Sequence, residues 1–312
     1  MSLTPAARRF ADALTHGFPD PADGPLEAAA LRRASSAGPP RGLPEVARVT
    51  DASAPGPPGA PPVPVRIYDP DPHGTDGDRP VVVFCHGGGW VMCGLDTHDG
   101  LCRELASRTD ALVVSVDYRR APEHRFPCAL LDAYAVTGWA AGRARELRFD
   151  PSRLVVAGDS SGGNLAAAVA LMARDDGNGP AIAAQLLVYP ALDERLETAS
   201  ATEYATGFFH TTAHMRWYWQ QYLGPDGDGA DPRASPVCAG DLGGLPPALL
   251  ILPECDPLRD EGQVYAERLR AAGGSAEVRV ERGMFHGFLG GAGVLPEADA
   301  ALGAAARWLL DI

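Results

Sequence analysis

The chain has 312 residues, 46% hydrophobic and 21% charged, which is enough apolar material for a sizeable core and excludes disordered and fibrous classes. Its formal charge of −13 arises from 40 acidic and 27 basic residues, and every basic residue is arginine. The absence of lysine rules out a P-loop phosphate clamp, a kinase strand lysine, a PLP Schiff base and lysine aldolase chemistry, and an acidic chain with dispersed arginines predicts no nucleic-acid partner.

The N-terminal segment is polar throughout and lacks the apolar run of a signal peptide, and no later run approaches a membrane span, so a cytoplasmic protein without a membrane span is expected. Two short helices are predicted at 4–16 and 25–35, the second with Pro25 in its first turn. The stretch 54–64 carries six prolines and reads as a connection or a tight hairpin loop. From about residue 62 the pattern is strand, loop, helix, repeated, with strands at 63–68, 81–85, 111–117, 154–157, 185–189, 248–252 and 276–280. Several are short β-branched runs without alternation, the mark of strands covered on both faces in a mostly parallel α/β sheet. Helices fall between them, for example at 165–174 and at 263–272, the latter stopped by Gly273 and Gly274. Residues 193–240 break the rhythm with an aromatic segment from Trp217 to Tyr222, read as an insertion over the C-terminal edge of the sheet. The six cysteines show neither CxxC nor metal-ligand spacing and read as mostly buried thiols in a reducing compartment.

The most informative segment is Gly158-Asp159-Ser160-Ser161-Gly162-Gly163, a GxSxG between a strand and a helix. Small residues let the chain reverse sharply there, leaving the Ser160 hydroxyl exposed above the sheet as a nucleophile and the Ser161 N–H available to a developing oxyanion. Upstream, the strand 81–85 runs into His86-Gly87-Gly88-Gly89-Trp90. The three glycines free the backbone to aim N–H groups at a negative oxygen, and His86 reads as a brace for that loop. A serine needs a base oriented by a carboxylate. Of eight histidines, His286 lies just beyond the last predicted strand, and Asp256 sits at the turn after strand 248–252 with Pro257 fixing the backbone. The order Ser160, Asp256, His286 is that of nucleophile, acid and histidine in α/β-hydrolases.

These motifs, together with Asp117 to Pro127, the run Asp256 to Gly262 and Gly283 to Phe288, resemble the hormone-sensitive-lipase-like branch of the α/β-hydrolases over about residues 62–312. The resemblance implies an eight-stranded, mostly parallel sheet flanked by helices, with a helical cap. The expected divisions are N-terminal cap helices over 1–45, core over 46–192, cap insertion over 193–240 and core again over 241–312. It also maps the oxyanion donors onto Gly88 and Gly89 first, Gly87 next, and Ser161. Arg120, Cys128 and Ser161 depart from the family's usual residues at their positions, which bears on pocket shape and leaves the triad intact.

Asp117, Glu123 and Asp159 read as structural acceptors, and Glu254 either orients the acid loop or is a surface carboxylate. The run from Asp226 to Asp231 imitates a calcium loop but lacks its ligands and reads as a turn. His210 and His214 lack the glutamate of a zinc motif, and Thr211 or Thr212 fits a helix cap. No metal and no cofactor is expected. Trp90, Phe208, Phe209 and Trp217 are candidate substrate contacts. The function expected is a serine carboxylesterase acting on short- to medium-chain esters as small-molecule substrates through an acyl-enzyme. The alternatives are an amide or formamide hydrolase or acyltransferase with the same triad, and a non-catalytic ligand receptor, against which His286 speaks. The sequence leaves a homodimer open.

Overall fold

Valine-rich runs with no polar alternation become strands covered on both faces, because each face must find an apolar layer. The computed structural model describes residues 2–36, 43–73 and 79–312. Residues 1 and 37–42 of the expected N-terminal cap segment lie outside it. Eight strands form one sheet: β1 (Arg48–Ala54), β2 (Val63–Asp69), β3 (Val81–Cys85), β4 (Leu112–Val116), β5 (Leu154–Asp159), β6 (Ala184–Val188), β7 (Ala248–Cys255) and β8 (Ala276–Phe285). Their spatial order is β1-β2-β4-β3-β5-β6-β7-β8. β2 runs antiparallel to both β1 and β4; the pairs from β4 through β8 are parallel.

The helices are α1 (Pro5–Thr15), α2 (Ala28–Ser35), α3 (Asp99–Thr109), α4 (Cys128–Ala141), α5 (Ala144–Leu147), α6 (Ser161–Asp175), α7 (Ala199–Glu203), α8 (Thr212–Leu223), α9 (Arg259–Ala271) and α10 (Pro296–Leu310). Alternate residues of β3 feed two cores. Val81, Val83 and Cys85 pack with Leu130 of α4, Leu165 of α6 and Tyr265 of α9, whereas Val82 and Phe84 pack with Ala7 of α1, Leu105 of α3 and Leu302 of α10. Every residue of β3, β4, β5 and β6 is buried. Full burial of a Val or Leu side chain stabilises by about 1.5–3 kcal/mol, so these strands form the centre of the apolar core.

Two elements differ from expectation. The edge strand β1 has no sequence signature because most of its residues are partly or fully exposed; the proline-rich stretch is the hairpin loop joining it to β2. The second helix starts at Ala28 with Glu27 as its cap, so Pro25 precedes the helix rather than opening it.

The topology also places the site. From β3 the chain proceeds to β4 on one side and later to β5 on the other, with α3 and α6 on opposite faces, so winding reverses between β3 and β5. A crevice opens at such a switch point beyond the C-terminal strand ends. Cys85 and Gly158 are register partners, which sets the HGGG loop beside the GxSxG turn.

Candidate active site

Ser160 caps α6 with φ 55° and ψ −120°, a conformation costing about 1–3 kcal/mol for a residue with a side chain. Its surroundings hold it there: Ser160 N–H donates to Val188 O at 2.8 Å, and Ser160 O accepts from Asn164 N–H at 3.0 Å and Ala191 N–H at 3.2 Å. Gly162 is required because a Cβ at that position would overlap the Cys85 carbonyl, where α6 crosses close to β3.

β7 runs to Cys255 and delivers Asp256 just beyond its end; β8 runs to Phe285 and delivers His286. Asp256 Oδ1 accepts the Leu258 N–H at 2.8 Å, which leaves Oδ2 facing His286 Nδ1 at 2.8 Å. His286 Nε2 lies 2.9 Å from Ser160 Oγ. Asp256 is fully buried and His286 is 3% exposed, so the ion-forming partners sit where electrostatic interactions are strong. The Tyr189 ring packs against the imidazole, centroids 4.7 Å apart.

The HGGG loop faces this relay. Gly88 and Gly89 have φ 118° and 58°, and among the described residues neither N–H has a hydrogen-bond acceptor. A Cβ on Gly89 would overlap the Tyr218 ring, so glycine is needed for packing as well as for the left-handed turn. The Ser161 N–H opens α6 and has no intrahelical acceptor either. Gly87 differs from expectation: its N–H donates to Asp159 Oδ1 at 2.8 Å, so it is not free for an oxyanion. Asp159 Oδ1 also lies 3.1 Å from His98 Nε2. Burial pushes the Asp159 carboxyl up, but His98 and the Gly87 N–H outweigh it and hold it below the usual carboxylate range.

His86 is a brace. Its Nδ1 lies 2.7 Å from Gly87 O, its ring stacks on Tyr118 at 4.2 Å, and the Tyr118 hydroxyl donates to its carbonyl at 2.7 Å. Burial pushes its imidazole down to about 3, which keeps it neutral. Glu123 is tied to Arg32 of α2, Asp117 to Arg120, and Glu254 Oε2 accepts the Gly283 N–H at 2.8 Å, linking the acid loop to the histidine strand.

Ser160 and His286 open onto a cavity of about 460 Å³, within the roughly 300–1,000 Å³ of small-molecule sites. Phe10 and Leu14 of α1, Phe209, Met215 and Tyr218 of the 193–240 segment, and Leu289 supply much of its apolar wall. Of the four aromatic residues expected to contact substrate, only Phe209 lines this cavity. Trp90 is 1% exposed and stacks on Tyr222, centroids 4.2 Å and planes 2° apart. Trp217 lies on a different face of α8 from Met215 and Tyr218 and packs against the core. Phe208 points away from Phe209, onto Tyr204 at 5.3 Å with Arg8 over its ring.

Tyr218, within the aromatic segment Trp217 to Tyr222, also lines the cavity, as do His98, Tyr189 and His210, which no local spacing marks because each is brought in by tertiary packing. His214 has both ring nitrogens engaged, Nδ1 by its cap partner Thr211 at 2.7 Å and Nε2 by Pro19 O at 2.8 Å. The segment 226–231 forms turns, with Asp228 Oδ1 accepting from Ala230 N–H at 2.9 Å. The six cysteines are free, and no helix among the described residues is long and apolar enough to cross a membrane.

A family model for the α/β hydrolase fold matches residues 82–290. The chain is 47% identical over 214 residues to the carboxylic ester hydrolase LipN of Mycobacterium tuberculosis, which covers 67% of this chain and 57% of LipN. The match thus spans little more than half of that relative. The chain is 46% identical over 231 residues to the carboxylesterase NlhH of the same organism, covering 72% of this chain and 70% of NlhH. A solved structure, a hyperthermophilic esterase from the archaeon Pyrobaculum calidifontis, matches 100% of this chain and 99% of its own with a TM-score of 0.89 at 37% identity. The chain belongs to the α/β-hydrolase family, in its hormone-sensitive-lipase-like carboxylesterase branch.

Proposed function

We propose that the protein is a serine carboxylesterase in which Ser160, His286 and Asp256 are the catalytic residues. The observation that carries this is the continuous relay of 2.9 Å and 2.8 Å from Ser160 Oγ through the imidazole to Asp256, opening onto a cavity walled by the HGGG loop. His286 Nε2 takes the hydroxyl proton as Oγ attacks the ester carbonyl. Asp256 holds the tautomer with hydrogen on Nδ1 and stabilises the imidazolium. The carbonyl oxygen becomes an oxyanion received by the N–H groups of Gly88, Gly89 and Ser161, donors already oriented before charge develops. Collapse expels the alcohol, which takes the proton from His286; a water deprotonated by His286 then attacks the acyl-enzyme and releases the acid.

The N-terminal helices and the 193–240 segment act together as a cap. Phe18 packs edge-on to His210 at 5.4 Å, and Arg8 donates to Gly207 O at 2.7 Å, so the two segments support each other over the cavity. A cavity of about 460 Å³ with a largely apolar wall suits short to medium acyl chains. The test is hydrolysis of a chromogenic ester series from acetate to long acyl chains by wild type and Ser160→Ala. Turnover peaking at a short or medium chain and lost in the variant is expected; equal rates in both proteins would overturn the assignment.

A further inference from the structure

One group on the cavity wall has no place in the relay. His210 is 8% exposed and is wedged edge-on between Phe18, His214 and His286, with centroids 5.4, 5.6 and 5.5 Å away. Phe209 before it adopts φ 72°, which turns the chain so that both residues reach the cavity. Neither ring nitrogen of His210 makes a hydrogen bond among the described residues, and Nδ1 is sealed in protein. On the same wall the Tyr218 hydroxyl is also buried without a partner. A leucine would fill the His210 site among these aromatic neighbours without stranding a polar atom; with Nδ1 sealed, the ring nitrogen left for an incoming group to pair with is Nε2.

The chemistry of that partner follows from the ring's state. Burial, then the neighbouring His286 and His214, hold the imidazole well below its ordinary value, so it is uncharged. A neutral ring has one N–H. With Nδ1 sealed away from any acceptor, that hydrogen belongs on Nε2, the nitrogen not enclosed by protein. No arginine lines the cavity, whereas Asp96, Glu104 and Asp159 do, which disfavours an anionic substrate. The partner is therefore a neutral oxygen. Its position follows from His286, which hands its proton to the departing alcohol: a donor packed beside that ring reaches the alcohol part of the ester.

We propose that His210 is a specificity-determining residue for the leaving alcohol, favouring esters whose alcohol carries a second neutral oxygen, such as the monoesters of diols and of glycerol, over plain alkyl esters. This deepens the esterase reading and rests on it.

The experiment compares 2-hydroxyethyl butyrate with n-propyl butyrate, in which a hydroxyl replaces a methyl at nearly constant size, by titrating released acid. The readout is the ratio of the two kcat/KM values, in which any change to the common acylation machinery cancels. Wild type is expected to favour the hydroxyethyl ester. His210→Leu is expected to lower the ratio about tenfold, the worth of one hydrogen bond. His210→Gln, which returns a donor, is expected to recover several-fold of it. A wild-type ratio near one, or an unchanged ratio in both variants while Ser160-dependent hydrolysis persists, would overturn this inference alone. Absence of Ser160-dependent hydrolysis of either ester in wild type would overturn the esterase reading and this inference with it.

Discussion

Replacing Asp159 by alanine and by asparagine separates two ways in which a buried carboxylate beside a nucleophile can act. Its Oδ1 accepts the Gly87 N–H at 2.8 Å and lies 3.1 Å from His98 Nε2, and the side chain is only 10% exposed. It thereby ties the oxyanion loop after β3 to the turn after β5. Alanine removes the nearer acceptor and leaves the Gly87 N–H only the longer contact to His98 Nε2 at 3.3 Å, at a cost of about 1 kcal/mol in stability. Gly88 and Gly89 follow immediately, so loosening Gly87 moves their N–H groups; a misplacement of about 1 Å costs roughly 100-fold in rate. We therefore expect Asp159→Ala to lower kcat about 100-fold with little change in KM. Asparagine puts a carbonyl oxygen where Oδ1 stands and keeps the acceptor, so Asp159→Asn should stay within about tenfold of wild type. Initial rates on a short-chain ester, with urea unfolding alongside, measure both. Asparagine as damaging as alanine would refute the acceptor argument and make the negative charge the working part. Alanine at nearly wild-type kcat would show that the loop stands without the tie.

Two further outcomes follow from the geometry. Gly89→Ala places a methyl into the Tyr218 ring and an L-residue at φ 58°, so kcat should fall about 100-fold as the loop backs away; activity within threefold of wild type would mean that this N–H is not a donor. The second outcome concerns pH. His86 and His210 are buried neutral, and a histidine whose folded value lies below the unfolded 6.5 takes its proton in the unfolded chain first. The stability each contributes is present above pH 6.5 and is lost as pH falls toward the folded value, about 3 for His86, at about 1.4 kcal/mol per unit for each proton. Glu261 opposes them: burial raises its carboxyl, so above about 4.5 it costs stability as pH rises. His210→Leu takes one proton out of the balance, and its unfolding free energy between pH 6 and 4.5 should fall less steeply than wild type by about 1.4 kcal/mol per unit. Parallel slopes in urea titrations would refute the buried-neutral assignment.

The positions of the proposed triad follow strand ends: the apolar runs 154–157 and 248–252 announce Ser160 and Asp256, whereas 276–280 alternates Glu277 and Arg279 with Val278 and Val280 and marks the approach to His286. Strand ends can be read from local pattern, and in a parallel sheet they converge on one edge. The oxyanion loop was only partly legible. Three consecutive glycines advertise free backbone, yet which N–H stays free depends on Asp159 reaching across from β5, and nothing near Gly87 records that contact. The pocket was the least legible. Trp90 and Trp217 were chosen for being aromatic, but their positions are decided by the stack on Tyr222 and by the phase of α8, in which Met215 and Tyr218, three residues apart, face the cavity and Trp217 does not. β1 leaves no mark in the sequence because an exposed edge strand has no apolar face to display.

The strained backbone is concentrated at the same edge. Of the described non-glycine residues with positive φ, Trp90, Cys93, Ser160, Tyr189 and Phe209 all line or adjoin the cavity. Each such residue costs of order 1–3 kcal/mol and persists only where its neighbours over-determine it. Trp90 is held by its stack on Tyr222, Ser160 by Val188 O, and Tyr189 by an N–H donated to Ile251 O at 2.8 Å. Those contacts give Trp90 a role despite its distance from substrate. Three flexible glycines alone would leave the oxyanion donors free to turn toward solvent, and a large ring anchored immediately after Gly89 removes that freedom. In the proposed mechanism the nucleophile and the donors are thus fixed before an ester arrives, and the energy of fixing them is drawn from packing rather than from substrate binding.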